Sequence, residues 1–418
     1  MENIAIRPMD ILLPASRVDQ KKWACVACDQ YTSQPEYWER VEAFVGDAPS
    51  TLRLMLPECW LSKSAELLPS IRAAMRAYLT DGTLETKVHN GFVLTERTTA
   101  QGKRLGLVAG VDLETYDFSP DTLSLVRPTE QTVRSRLPAR QAIRRGAPVE
   151  LPHIMMLADD PARTVIEPVY AIRDQLPLLY DTELMENGGH LRGWALEGEI
   201  VEKLLAAVTA LKLTKGADPL LFAVGDGNHS LATAKVCWEE LKAGLTPEQQ
   251  ENHPARYALA EIVNIHDEAL NFEPIHRVVT HVDAADLFSA FHRYAAEHQA
   301  QLLDAPGGEQ GFELLTQGDR MAYSFRNPWG ALAAETLQSF LDAYLADHPD
   351  AGIDYIHGED VVARLSAEKG TLGFLLPALD KSRFFDILAQ VGIMPRKTFS
   401  LGEANEKRFY MECRSLEV

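Results

Sequence analysis

Five consecutive residues, Asp226-Gly227-Asn228-His229-Ser230, put a carboxylate, an amide, an imidazole and a hydroxyl side by side. They follow an apolar run over residues 220–224 and open an amphipathic stretch that continues toward residue 244. Gly225 and Gly227 flank the Asp, which lets the chain turn tightly and lets a ligand approach the main chain. A helix starting there would present unpaired amides and the positive end of its dipole, a setting that favours phosphate or carboxylate. In this reading Gly227, Asn228, His229 and Ser230 cradle anionic oxygens, Asp226 is a catalytic carboxylate or a Mg²⁺ ligand, and His229 counts with it among the catalytic residues. The same residue types also cap helices, so simple capping is the competing reading.

Other residues could complete such a site. Lys235 lies two turns beyond Asn228 on the same face, where its ammonium could lean back toward the terminus. Arg127, Arg134, Arg136, Arg140, Arg144 and Arg145 are concentrated in an otherwise acidic chain, and Glu130 sits among them as a candidate base or Mg²⁺ ligand. Pairing with surface carboxylates is the alternative for the arginines. "FEPIHRVV" places His276 and Arg277 after an expected strand, with Arg277 a further cation for a bound anion. Arg396, Lys397, Lys407 and Arg408 are expected to be solvated charge. Cys25-x-x-Cys28 has no second pair and no thioredoxin-like flank, so a structural role is expected. A G-N-H block also occurs in binuclear metallophosphoesterases, but no His here has Asp two residues before it. The P-loop, G-x-G-x-x-G and H-E-x-x-H patterns are absent.

The elements that must position these residues alternate. Helical spacing marks "SAELLPSIRAAMRAYLT", "EGEIVEKLLAAVTALKL", the stretch after Asp226, and "DAADLFSAFHRYAAEH". In the stretch after Asp226, Leu231, Ala234, Trp238 and Leu241 form the stripe expected to pack on a sheet. "GFVLTERTTAQGKRLGLVAGVDL" reads as a hairpin turning at 99–102, "RYALAEIVNIHD" as a buried strand, and "KRFYMEC" as a terminal strand. The fold class is α/β in the mixed α+β sense, mixed sheets with flanking helices. An N-terminal region 1–250 and a C-terminal region 251–418 are separated at the polar stretch 245–254. The net charge of −19 opposes binding to nucleic acid or anionic membranes. No signal or spanning segment is evident and the five cysteines are scattered, so a cytoplasmic protein with reduced thiols is expected.

Several stretches together resemble the bacterial and archaeal family known as domain of unknown function ten-fifteen. Its D-G-H-H-R block corresponds to Asp226-Gly227-Asn228-His229-Ser230, with Asn for the first His and Ser for the Arg. Its H-E-x-T stretch corresponds to "RPTEQT", with Thr129 for the His. "EPIHRVV" is similar to P-T-H-R-V, and "GIMPRKTFSLGEANEKRFY" to a terminal M-P-x-K-[ST] block. The D-G-H-H-R turn is also similar to that of the ParB and sulfiredoxin-like group, which implies a ParB-like core plus a second α/β subdomain. That group holds nucleotide phosphates at this turn and includes kinases of free serine. The resemblance implies an enzyme that binds a nucleotide or phosphorylated small molecule with Mg²⁺ and transfers phosphoryl to a hydroxy amino acid such as serine. In it Arg127, Lys235 or Arg277 neutralises charge, and a homo-oligomer is compatible. The alternatives are a phosphatase or other hydrolase of a small phosphorylated metabolite, and a nucleotide sensor without turnover.

Overall fold

The hairpin expected around residues 99–102 organises the larger part of the chain. In the computed structural model, which describes residues 3–216, 220–395 and 397–417, strand β1 (Leu84–Thr99) pairs antiparallel with strand β2 (Gly102–Asp112). They are joined by β3 (Val126–Pro128), β4 (Ile154–Ala158), β5 (Leu178–Glu183), β6 (His190–Leu196), β7 (Phe222–Asp226) and β8 (Tyr257–Asn264) in the order β3-β7-β4-β8-β2-β1-β6-β5. The short strands Ile6–Arg7 and Met9–Pro14 pair off this path with β2 and β1. Among the described residues the sheet has ten strands. It is mixed, as expected, because β7 is parallel to β3 and β8 to β4 while the other pairs along the path are antiparallel.

Side chains alternate between the faces of this sheet, and both faces are covered, so its central strands are nearly continuous in apolar residues. One face carries Leu94, Leu107, Met156, Val224 and Ile262 under helices α2 (Glu199–Leu213) and α3 (Asn228–Lys242). Here α1 is Leu137–Arg144, with Pro138 in its first turn as expected. Helix α2 buries Val201, Leu204, Val208 and Leu211. Each such side chain is worth about 1.5–3 kcal/mol relative to exposure. Helix propensities differ by tenths, so packing decides where α2 lies. Helix α3 buries Leu231, Ala234 and Trp238, but Leu241, the fourth member of the expected stripe, is exposed near the helix end. The other face carries Val93, Val108 and Leu259 beneath Trp23, Trp38, Phe409 and Met411.

The chain divides into two compact units, Met1–Asn271 with Gly402–Val418, and Phe272–Leu401. The expected break at 245–254 falls inside the first unit, where a short helix (Pro247–Asn252) leads into β8. Because β8 is paired between β4 and β2, no boundary can precede it. Polarity marked an exposed connection there, and exposure alone does not separate domains. Among the described residues the smaller unit has a six-stranded antiparallel sheet and the helices Ala284–Glu297 and Ala333–Asp347, with Phe291 stacked on Phe340 in its core. His276 and Arg277 follow the short strand Phe272–Pro274, as expected, and themselves open the strand His276–Thr280. Among the described residues no helix is long and apolar enough to cross a membrane. Arg396 lies outside the described residues.

The segment 402–417 crosses the face of the sheet that carries Val93 and Val108. Only Phe409–Tyr410 of the expected terminal strand is a strand, paired with Cys25–Val26. Side chains do the rest. The buried Arg408 guanidinium lies 3.2 Å from Glu261 of β8 and also bonds Glu412. Arg97 and Arg104, opposite one another in the hairpin, donate to the carbonyls of Asn405 (2.8 Å) and Glu406 (3.1 Å). Burial would raise the pKa of Glu261, but Arg408 and Arg104 hold it below the usual carboxylate value. A lowered pKa means that this stabilisation is present above about pH 4.3 and is lost as the pH falls through the depressed value. Arg408→Met should therefore cost about 3–5 kcal/mol in urea unfolding at pH 7, because it leaves Glu261 and Glu412 uncompensated. The acid-unfolding midpoint should move upward in the same variant, and an unchanged midpoint would refute the assignment.

Candidate functional site

The turn between β7 and α3 is built as the sequence suggested. A register shift between Val224 and Asp226 in the pairing with β4 turns the end of β7. Gly227 then takes a φ of +82°. A Cβ at Gly227 would lie 3.1 Å from both His153 Cδ2 and Ile154 Cα, so both conformation and space call for glycine. The first bonds of α3 run from the amides of Ser230 (2.9 Å) and Leu231 (3.0 Å) to Gly227 O. Ser230 thus spends its amide on the helix, and the amides of Asn228 and His229 precede the first intrahelical bond.

The structure changes what several of the expected residues do. Asn228 is buried, and its Oδ1 accepts from the Thr129 amide (3.1 Å) while its Nδ2 donates to Thr129 Oγ1 (3.2 Å). These are two of the positions at which the chain departs from the family pattern, and they touch one another. His229 Nε2 accepts from the Val133 amide (3.1 Å), so in the neutral ring the proton is assigned to Nδ1. Two bonds therefore pin the loop 129–133 to consecutive residues at the start of α3, and Glu130, half-buried, lies inside that loop. Arg127 is buried and its Nε donates to Ser124 O, at the entry to its own strand.

Lys235 does not lean toward the helix start. Its ammonium bonds Leu113 O (2.9 Å) and Glu239 Oε1 (2.6 Å), one turn further along α3, where oxygens are nearer than the terminus. Arg277 belongs to the smaller unit, where it is buried, donates to Gln338 Oε1 (3.1 Å) and Ile275 O, and has its pKa lowered to about 10 by burial. The Arg-rich helix face is largely spent on ion pairs: Arg140 with Glu58, Arg144 with Glu150 and Arg145 with Glu240.

The cation beside the turn is Lys407, not Lys235. Its Nζ lies 3.7 Å from Asp226 Oδ2, with side-chain exposures of 9% and 21%, so the expectation of solvated charge at Lys407 and Arg408 is overturned. Basic residues near a terminus read as solvent-facing unless the chain returns across the sheet. Asp226 Oδ1 also accepts from the Gly227 amide (3.1 Å). Among the described residues no group of three or more His, Cys, Asp and Glu is placed to hold a metal ion.

Next to the turn lies a group of residues of which the sequence pattern singled out only Cys28, there with an expected structural role. His153 Nε2 is 3.1 Å from Asp29 Oδ2, and its Nδ1 is 2.6 Å from Tyr410 OH and 3.7 Å from Cys28 Sγ. The Cys28 amide donates to Tyr410 OH (3.2 Å). Burial alone would lower the pKa of His153, but Asp29, with Tyr410 and Cys28, raises it well above the ordinary imidazole value. Burial would raise that of Asp29, yet His153 and Lys407 hold it well below the carboxylate range. The corner therefore combines alternating charges, a phenol, a thiol and the start of a helix. A cleft in the core beneath α2, lined by Leu107, Val208, Leu211, Phe222 and Ile262, is apolar by comparison, and its Asp160 accepts from the Val165 amide.

Gly227→Ala should lower unfolding stability by about 1–3 kcal/mol, from left-handed strain plus contact with His153; full stability in urea titration would mean that the turn has been misassigned. His153→Gln should have a pH-dependent cost. The raised pKa of His153 makes its contribution complete below about pH 6.5 and lost as pH climbs through the folded value, while that of Asp29 is complete above about pH 3.9 and lost on acidification. The loss of Tm in the variant should be largest between these limits and shrink in alkali, and a loss that is constant from pH 5 to strongly alkaline pH would argue against the ion pair.

No curated protein matches this chain. Among solved structures it is similar to a conserved hypothetical protein from Pyrococcus furiosus, with 13% identity, a TM-score of 0.35, and coverage of 73% of this chain and 90% of that one. A free serine kinase in complex with AMP matches with 11% identity, a TM-score of 0.40, and coverage of 74% and 92%. SbnI with a C-terminal truncation, from Staphylococcus aureus, matches with 9% identity, a TM-score of 0.36, and coverage of 71% and 82%. At such identities and TM-scores these likenesses do not bear on chemistry. The family model described as Protein of unknown function (DUF1015) matches residues 6–344, which include the β7–α3 turn and the loop pinned to it, and the chain belongs to that family.

Proposed function

We propose that the corner at residues 226–230 binds the phosphate of a nucleotide or small phosphorylated metabolite, and that the protein transfers a phosphoryl group to a hydroxy amino acid such as serine. The observation that carries this reading is the buried ammonium of Lys407 set beside the start of a fifteen-residue helix whose entry is held in the left-handed conformation by Gly227. A helix start alone favours an anion by roughly 0.3–1 kcal/mol. A poorly solvated cation beside it strengthens the attraction, because the local dielectric is lower than that of water.

In this scheme the amides of Asn228 and His229 and the ammonium of Lys407 face the phosphate oxygens. Asp226 holds Lys407 in place. Glu130, on the pinned loop, orients or deprotonates the acceptor hydroxyl, and His229, held through Nε2 by Val133, has Nδ1–H as a donor. Phosphoryl transfer asks little covalent chemistry of a protein beyond positioning and charge stabilisation, which these groups supply. No step is assigned to a metal.

Lys407→Gln should weaken binding of ADP and phosphoserine at least about tenfold, equivalent to about 1.4 kcal/mol, with the fold intact by circular dichroism. Undiminished affinity for both would remove the basis of the proposal. Incubation with γ-labelled ATP and serine decides the reaction. Label in phosphoserine supports transfer, whereas free phosphate from phosphoserine, or tight binding with no product, would replace it with a hydrolase or a sensor respectively.

A further inference from the structure

The five cysteines fall into different environments, and one of them is placed for chemistry. Cys25 is fully buried, its Sγ lies 3.4 Å from Ser50 Oγ, and burial pushes its pKa up. Cys28 faces a different group: its Sγ is 3.7 Å from His153 Nδ1, and the opposite ring nitrogen of His153 is 3.1 Å from Asp29 Oδ2. The C-x-x-C spacing is thus not a dithiol pair. Cys28 is half-buried, as are Cys59 and Cys237, but neither of those has a histidine among its described partners.

We propose that Cys28 is a nucleophilic thiol, served by His153 and oriented through Asp29, and that it is a site of oxidation by small hydroperoxides. A thiol, an imidazole and a carboxylate aligned through the two ring nitrogens form the arrangement by which a weak nucleophile is activated: the base takes the proton and the carboxylate fixes the ring. In the reaction the Cys28 proton rests on His153, whose ring the Asp29 pair keeps protonated, and the sulfur attacks the terminal oxygen of the hydroperoxide as the thiolate of that ion pair. The S–O bond forms as the O–O bond breaks. Sulfur is oxidised by two electrons to the sulfenic acid, the peroxide is reduced, and the leaving alkoxide takes the proton back from His153 to depart as an alcohol. The raised pKa of His153 fits a ring that holds that proton between the two steps.

Tyr410 gives the arrangement a specific signature. Its hydroxyl, 2.6 Å from the same Nδ1, is closer than the thiol and competes with it for the ring nitrogen. The charged and titratable groups around the thiol are Asp29 on its own segment, His153 at the start of β4, and Lys407 and Tyr410 on the C-terminal segment, with Asp226 beyond Lys407. Removing the phenol leaves Nδ1 to Cys28. The inference concerns the thiol alone and does not depend on what binds at the turn.

The test is limited treatment of the folded full-length protein with hydrogen peroxide in the presence of dimedone, with the labelled fraction at each cysteine read by peptide mass spectrometry. Cys28 should label at least about tenfold faster than Cys59 and Cys237, which share its partial exposure. In His153→Gln its rate should fall to theirs while their own rates stay constant, an internal check that the fold is intact. In Tyr410→Phe the Cys28 rate should rise. Wild-type Cys28 labelling no faster than Cys59 and Cys237, or a Cys28 rate unmoved by His153→Gln, overturns the proposal, as does a Tyr410→Phe variant that labels as slowly as His153→Gln.

Discussion

A buried guanidinium is stable where most of its donors meet oxygen, and in this protein that constraint ties residues 405–412 to the centre of the sheet. Arg408 lies between Glu261 in the middle of the sheet and Glu412 on its own segment, and Arg97 and Arg104 reach the neighbouring carbonyls of Asn405 and Glu406. Each group alone would be expensive to desolvate. Together they hold the segment 402–417 across the sheet in one register, because a shift of one residue would leave several charges without partners.

The chemistry of the corner depends on that register. Lys407 directly precedes Arg408 and Tyr410 lies two residues after it, so fixing Arg408 delivers an ammonium to Asp226 and a phenol to His153. His153 stands at the start of β4 and Gly227 at the end of β7, antiparallel neighbours in the sheet, which is why the imidazole edge packs against the turn. Asp29 and Cys28 arrive from the N-terminal region, whose strand Cys25–Val26 pairs with Phe409–Tyr410. Three distant stretches thus converge on one turn, and Asp29 and His153 keep each other charged despite their burial.

Much of the fold was legible because it rests on periodicity. The hairpin, α2, α3 and β8 follow from apolar spacing, and the β7–α3 turn from two glycines around an Asp. The departures share a cause. Leu241 fits the α3 stripe in angle but lies where the helix runs past the sheet; Lys235 fits the expected face yet finds nearer oxygens at Leu113 and Glu239. The stretch 245–254 is polar because it is exposed, but β8, which follows it, is paired on both sides within the same sheet. In each case local pattern gives a direction and the surrounding structure supplies the partner.

By itself the sequence determined the mixed α/β class and the turn at Asp226-Gly227, because both depend on residues close together in the chain. It also carried the family, through motifs whose order along the chain is specific. Only the tertiary structure decided which residues share the corner with that turn. Asp29, His153, Lys407 and Tyr410 are ordinary residues in their local contexts, and the partners they meet at the corner lie more than a hundred positions away in the chain. Electrostatic character belongs to distance in space and to the loss of water around a group, and neither is written in the spacing of a chain.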